Sequence, residues 1–244
     1  MTARVHPSAV IDPGATLGAD VVVGPFCVVG AGAVLGAGTE LMGHVWVGPR
    51  TILGKRNRVF PFAVLGAAPQ SRAPSAERAL IVGDGNVFRE HVTVHTGTVQ
   101  DTTIGSDGLF MVGAHLAHDV QVGDHVTLSN AVQIAGHVII EDHATFGGLA
   151  GVAQRVRVGE SAFVAAGAMC EEDVPPFVIV QGDRARVRVL NKVGLRRRAI
   201  DEAEIEALER AFRAVFFGKR RPTPSDADGP RVQKLLRAIA PPRT

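Results

Sequence analysis

The chain of 244 residues has no tyrosine, one tryptophan and two cysteines, and aromatic residues make up only 5% of it. Nucleic-acid readers that stack bases on interleaved aromatics are excluded by that shortage, so no nucleic-acid partner is expected. Cys27 and Cys170 stand far apart and fit no C-x-x-C spacing, which points to buried reduced thiols and rules out a disulfide scaffold. No apolar run approaches the roughly 18 to 20 residues that cross a bilayer, and the opening MTARVHPSAVIDPG has Pro and Asp where a signal peptide needs an apolar stretch. A soluble, cytoplasmic protein without an integral membrane segment is expected. The 28 glycines follow no three-residue period, which excludes collagen. Net charge is only +2, yet 16 of the 26 Lys and Arg lie from residue 184 onward with 7 of the 24 Asp and Glu. The body is acidic and the tail basic.

What is present is a period of six. Val5, Ile11, Leu17, Val23, Val29, Leu35, Leu41, Val47, Leu53 and Val59 are spaced by six without exception, and four residues after each stands a residue that is usually small, such as Ala9, Ala15, Cys27 or Ala33. The frame is lost after residue 64, returns at Val82, Phe88 and Val94, breaks again around VQDTT, and runs from Ile104 to Cys170. A helix repeats every 3.6 residues and a plain strand every two, so neither produces it. A short strand, a corner and another short strand do. Three such sides close a coil of about 18 residues, and at a strand spacing of roughly 4.8 Å about eight coils make a prism about 38 Å long. The expected fold is therefore mainly β, a parallel β-helix over residues 1–186 with inserted loops near 66–80 and 99–103. Residues 187–244 form a helical cap, with Ile205, Leu208, Phe212, Val215 and Phe216 on one helix face and Val232, Leu235, Leu236 and Ile239 on another.

The period also places the histidines. If the residues near 99–103 bulge outward, the hexads at Val94, Leu116, Ile134 and Val152 share one side of successive coils. His95, His118, His137 and Gln154 then form a column near one edge, joined by His115 from the corner before Leu116, with neighbours roughly 5 to 8 Å apart. His6 and His44 read as solvated corner residues, and His125 and His143, 18 apart, stack at another corner. His118 is the natural general base of the column, with Asp119 close enough to orient it.

The hexads together with REHVTVHTGTVQ, LFMVGAHLAHDVQVGDHVTLSN, AGHVIIEDHATFGGLAGVAQ, EDVPPFVIVQGD and NKVGLRRR resemble the bacterial UDP-N-acetylglucosamine 3-O-acyltransferases, hexapeptide-repeat enzymes of the first step of lipid A synthesis. The resemblance implies a left-handed coil, a threefold homotrimer with sites between subunits, and transfer of a 3-hydroxyacyl chain from acyl carrier protein to the 3-position of the sugar nucleotide. It implies His118 as general base, the Gly136 N–H as oxyanion donor, and Gln70, His95, His115, His137, Gln154, Asn191 and Arg197 as substrate-binding residues. No metal and no dissociable cofactor is implied, because the phosphopantetheine arrives on the carrier. Arg196, Arg197 and Arg198 would steer that acidic partner.

Three positions depart from the family's pattern. Ser71 and Arg72 follow Pro69-Gln70 where an acidic residue is usual, and Ala153 precedes Gln154 where a His is common. A 3-amino UDP-sugar is the alternative acceptor they suggest. Met169 stands where a small residue would let the acyl chain run on, and a Met there shortens the groove by a few methylenes, each worth roughly 0.8 kcal/mol of burial. That makes Met169 an acyl-chain ruler for about ten carbons by the same methylene argument. Two other classes share the prism: a γ-carbonic-anhydrase-like metal enzyme using His118 and His137, and a non-catalytic hexapeptide scaffold.

Overall fold

The computed structural model describes residues 2–72, 78–218, 222–225 and 227–239. Most strands are two residues long, and each lays its second residue inward and its first outward. Stacking turns these short strands into three long parallel sheets, with a fold of the left-handed parallel β-helix type. Face A carries Val5, Val23, Leu41 and Val59 in register, then Phe88, Phe110, Leu128, Phe146 and Val164. Face B carries Leu65, Val94, Leu116, Ile134, Val152 and Cys170. Face C carries Leu53, Val82, Ile104, Val122, Ile140 and Val158.

The inward rows are almost fully buried, and Phe88 stacks on Phe110 at 4.8 Å inside them. Cys170 in the face B row and Cys27, just before the strand Val28–Val29, are buried free thiols, and burial pushes the Cys170 thiol up to about 11. Asn57 and Asn86 also point inward. They stay satisfied because Asn57 Nδ2 donates to the Gly83 carbonyl, Asn86 Nδ2 donates to the Gly105 carbonyl, and their Oδ1 atoms accept the N–H groups of Asn86 and Gly108.

The number of coils exceeds the expected eight, since face B alone has nine strands. Leu65, fully buried, belongs to the ladder beyond the point where the period breaks in the sequence, and Val178–Gln181 stacks on Phe163–Val164 at the far end. The first insertion is shorter than 66–80. Gly66 and Ala67 continue the strand Val64–Ala67, and Leu80 opens the strand Leu80–Val82. Residues 73–77 of this loop lie outside the described residues. The second insertion occupies 96–101 rather than 99–103, with Thr102 and Thr103 in a strand; it leaves the ladder in register, as an outward bulge does, exposes Val99, and closes over Asp119 on the next coil.

The expected boundary after residue 186 falls at the first residue of a strand. Val178–Gln181 pairs antiparallel with Arg186–Leu190, and the helices begin only at α1 (Lys192–Arg197), followed by α2 (Glu202–Phe217) and α3 (Pro230–Ile239). The buried faces are Ile205, Leu208 and Phe212 on α2 and Val232, Leu235 and Leu236 on α3. Lys234 of α3 reaches the prism and pairs with Glu141 and Glu160, each at 2.8 Å. Among the described residues no helix is long and apolar enough to cross a membrane.

Candidate active site

Most corners of the prism turn through a left-handed residue, a conformation in which Asn, Asp and His are several-fold enriched. His44, His91, His125, His137 and His143 occupy such positions with φ between 50 and 61°. Their presence there is explained by backbone geometry alone. His118 is not one of them, because the left-handed residue of its corner is Asp119, at φ 61°.

Asp119 is fully buried. Its Oδ1 accepts N–H groups from Thr98 at 3.0 Å, Val99 at 2.9 Å and Gln100 at 2.8 Å, and its Oδ2 accepts the Thr98 hydroxyl at 2.6 Å. Burial by itself would raise this carboxyl, but the donations from Thr98, Gln100, Val99 and His118 outweigh it and hold the group well below the usual carboxylate range. Asp119 is therefore an ionised acceptor, and the 2.6 Å contact between His118 Nδ1 and its Oδ2 has the imidazole as donor. A neutral His118 held in this tautomer leaves Nε2 with its lone pair free.

Gly136, one coil further on, lies under this ring. A Cβ built on it would stand 2.6 Å from His118 Cε1 and 2.8 Å from Nε2, so only glycine lets the imidazole lie against the backbone. The Gly136 N–H makes no hydrogen bond within the chain among the described residues. A free base nitrogen and a free backbone donor thus share one small patch. That is the pairing an acyl transfer needs, one group to take a proton and one to stabilise an oxyanion.

The histidine column resolves into two pairs. His118 and His137 meet edge to face at 5.1 Å, and His95 meets His115 at 5.3 Å. His115 is not a corner residue as expected. It is the first, outward residue of the strand His115–Leu116, where it meets the Thr93 hydroxyl at 2.8 Å, and burial and the neighbouring His95 push its pKa below the ordinary value. His95 donates from Nδ1 to the Ala68 carbonyl at 2.6 Å, tying the first insertion to the column. Gln70, two residues on, is exposed, and so is Gln154. His44 is not simply solvated: it lies between Phe26 at 4.9 Å and Phe62 at 5.2 Å, and His91 extends the stack.

A cavity of about 520 Å³ runs from His115 along face B past Gln133 and Gly151 to Met169. Met169 faces outward, 42% exposed, and its sulfur occupies the space a Cβ on Gly151 would take, 2.6 Å from that position. A second cavity, of about 410 Å³, opens between face A and α1 and is lined by His125, His143, Asn191, Arg197 and Arg198. His125 and His143 stack at 4.7 Å. Asn191 is largely committed to structure, its Oδ1 accepting the Gly194 N–H and its Nδ2 donating to the Ser161 carbonyl. Of the three consecutive arginines, Arg196 is paired with Glu202, and Arg198 with Glu160 at 2.7 Å. Arg197 has no ion-pair partner among the described residues. The two cavities share no lining residue, and His118 lines neither of them.

His118, Asp119 and His137 offer ligand atoms within 4.8 Å of one another. Asp119 is a poor ligand for a metal ion, because both its oxygens already accept hydrogen bonds and one of them receives the His118 Nδ1 proton. The residues missed in the sequence are Thr98, Val99 and Gln100. Their signal was the four extra residues between Val94 and Leu116, which are 22 apart and paired directly, on the coil that precedes Asp119.

Comparison with known proteins agrees with this geometry. A profile described as UDP-N-acetylglucosamine O-acyltransferase, domain 2, matches residues 173–240, and one described as bacterial transferase hexapeptide (six repeats) matches residues 2–37. An acyl-[acyl-carrier-protein]–UDP-N-acetylglucosamine O-acyltransferase of Anaeromyxobacter sp. is 48% identical over 216 residues, 87% of this chain and 84% of that protein. One from Sinorhizobium fredii is 41% identical over 221 residues, 89% of this chain and 82% of that protein. The crystal structure of UDP-N-acetylglucosamine O-acyltransferase from Moraxella catarrhalis superposes with a TM-score of 0.90 at 35% identity, covering 98% of this chain and 96% of that one. With a hexapeptide prism, a helical cap and this extent of identity along both, the chain belongs to the family of acyl carrier protein-dependent UDP-N-acetylglucosamine O-acyltransferases.

Proposed function

We propose that the protein transfers a 3-hydroxyacyl chain from acyl carrier protein to the 3-hydroxyl of UDP-N-acetylglucosamine, the first step of lipid A synthesis. The observation that carries this reading is the His118 imidazole, oriented by Asp119 at 2.6 Å and lying over Gly136. In the reaction, His118 Nε2 takes the proton of the sugar 3-hydroxyl as its oxygen attacks the thioester carbon. The Gly136 N–H stabilises the oxyanion that forms. Collapse breaks the carbon–sulfur bond, and the imidazolium returns its proton to the departing thiolate, leaving the acyl ester and the free carrier thiol.

The separation of the two cavities supports a site completed by a second copy of the chain, with the His118 edge of one subunit facing the Arg197 cavity of the next in a threefold trimer. Arg197, free of internal pairing, is suited to the pyrophosphate in a bidentate contact, with Asn191 holding the helix that presents it. His95, His115 and His137 line the sugar side, with Gln70 and Gln154 reaching in from its rim. The acyl chain runs along face B, and Met169, standing across it, supports a short chain of about ten carbons by the methylene argument.

Acyl-transfer assays with UDP-N-acetylglucosamine, its 3-amino analogue and 3-hydroxyacyl carrier proteins of graded length test the reading. Transfer to the 3-hydroxy sugar, fastest with the short donor, is expected. Transfer to the 3-amino sugar alone would replace the acceptor, and transfer to neither would reject the function.

A further inference from the structure

The second insertion gives four residues of the described prism over to something other than stacking. Regular corners between faces B and C have no such residues. Here the segment Gly97–Gln100 closes over the buried carboxylate of Asp119 on the following coil, delivering three successive N–H groups and one hydroxyl to it. Gln100 adds a bond from its side-chain Nε2 to the Asp119 carbonyl at 3.0 Å, and the Asp119 N–H donates to Thr102 Oγ1 at 2.9 Å. Gly97 starts the loop because a Cβ there would collide with the Gln100 carbonyl. Consecutive backbone N–H groups turned to one point form a nest for an anion, and in this protein the anion is one of its own side chains.

We propose that Thr98 is a positioning residue for the acyl-transfer reaction, acting through Asp119 to fix the tautomer and orientation of His118. This inference rests on the reading of His118 as the base. Thr98 is the pivotal member because its hydroxyl and His118 Nδ1 reach the same oxygen, Oδ2, both at 2.6 Å. The hydroxyl holds Oδ2 on the line of the imidazole N–H and takes part of its charge. Without it, Oδ2 carries more charge and stabilises the imidazolium more strongly, and, held then only by the Thr98 N–H at 3.0 Å, it can swing off the line of the imidazole N–H and release the neutral ring to either tautomer.

The groups facing His118 are few. Asp119 lies beside it, and His137 faces both from the following coil, its Nε2 3.7 Å from Asp119 Oδ2. His95 and His115 face each other on face B, and Asp101 of the loop is turned away to accept the Ala79 N–H at 2.8 Å. Thr98, Asp119, His118 and His137 thus form one contiguous group.

The test compares wild type with Thr98→Val, Thr98→Ser and His118→Ala in acyl transfer, with thermal midpoints measured beside kinetics and ¹⁵N spectra of the histidine rings. For Thr98→Val a fall in kcat of roughly 10- to 100-fold is expected, as for other residues that orient a reactive group through a second one. KM for both substrates should stay unchanged, the acid limb of the kcat/KM profile should move to higher pH, and the ring spectrum of His118 should show a mixture of tautomers. Thr98→Ser, which restores the hydroxyl, should recover all three. A Thr98→Val protein with the wild-type pH profile and a single His118 tautomer would overturn the proposal. So would a loss of activity that only follows the thermal midpoint and is not rescued by Ser. Full activity in His118→Ala would instead remove the base reading, while the ring spectra would still decide whether Thr98 orients His118.

Discussion

His118 Nε2 lies 2.8 Å from the point where a Cβ on Gly136 would stand. The base and the oxyanion donor are thus as close as two coils of a β-helix allow, and the absence of one methyl group makes the arrangement possible. Gly136 is not in the left-handed region, so alanine strains no backbone there, and it acts only by pushing the imidazole away. Gly136→Ala should lower kcat by roughly 100-fold, the scale of misplacing a reacting group by about 1 Å while the N–H donor is kept. Its thermal midpoint should change little. A steady-state assay and a melting curve on the same preparation check both.

Asp119→Asn keeps the shape but places an amide where five donations arrive, and it offers an N–H to His118 Nδ1. The imidazole is then driven to the other tautomer, with its proton on the nitrogen that must accept one. A loss in kcat on the order of 10⁴-fold is expected, the size seen when the orienting aspartate of a catalytic triad is replaced in the same way. Stability should fall as well, by about 1 to 3 kcal/mol for the donors left facing an N–H. Denaturant titration separates the two effects.

Much of this arrangement is legible in the sequence, and the reason is the prism itself. A rigid period of six converts position in the chain into position in space, so that Val94, Leu116, Ile134 and Val152 could be stacked by counting and were found paired in register. What counting could not reach lies where the period is broken. The pattern does not mark Leu65 as a ladder residue, because the insertion follows directly, and it does not show that the loop before Thr102 closes over Asp119. Loop direction depends on the φ and ψ of Gly97 to Gln100, which no hydrophobic pattern encodes. His115 was displaced by one step, from corner to strand, because a corner and a strand start differ by a single residue in the frame. His44 looks solvated in the sequence because its stacking partners, Phe26 and Phe62, are 18 residues away on either side.

Met169 gives a prediction with a direction. Replacing it by glycine opens the end of the face B groove, and each two-carbon extension of the donor then gains about 1.6 kcal/mol of burial, at roughly 0.8 kcal/mol per methylene. The preferred donor should lengthen by two or more carbons, with a selectivity shift of roughly 15-fold per step on the same figure. Competition between donors of different length measures it. An unchanged preference would leave Met169 as a packing residue over Gly151.

Arg197 and Arg196 are neighbours with opposite prospects. Arg197→Ala should raise KM for the UDP-sugar by roughly 10- to 100-fold with kcat nearly unchanged, since a charge-assisted hydrogen bond contributes about 1.5 to 3 kcal/mol. Arg196→Ala removes a surface pair with Glu202 and should leave KM for the UDP-sugar as it was.

The cap is held to the prism by acid-sensitive pairs. Burial would raise the carboxyls of Glu141 and Glu160, but Lys234 and, respectively, Arg157 and Arg198 outweigh it and lower both. A lowered folded-state pKa contributes stability that is complete above the unfolded value, about 4.3 for Glu, and is lost as pH falls through the folded one. Hydrogen exchange in α3 should therefore accelerate on acidification below about pH 4 while the prism stays protected, as the sign of the linkage requires. Lys234→Met should show the faster α3 exchange already at neutral pH.

The most direct measurement is acyl transfer from a 3-hydroxyacyl carrier protein to UDP-N-acetylglucosamine, run on the wild-type chain beside His118→Ala with circular dichroism to verify the fold. The account predicts transfer by the wild type and its near-complete loss in the variant with the spectrum of the prism intact. A folded His118→Ala protein that transfers the chain at the wild-type rate would contradict it.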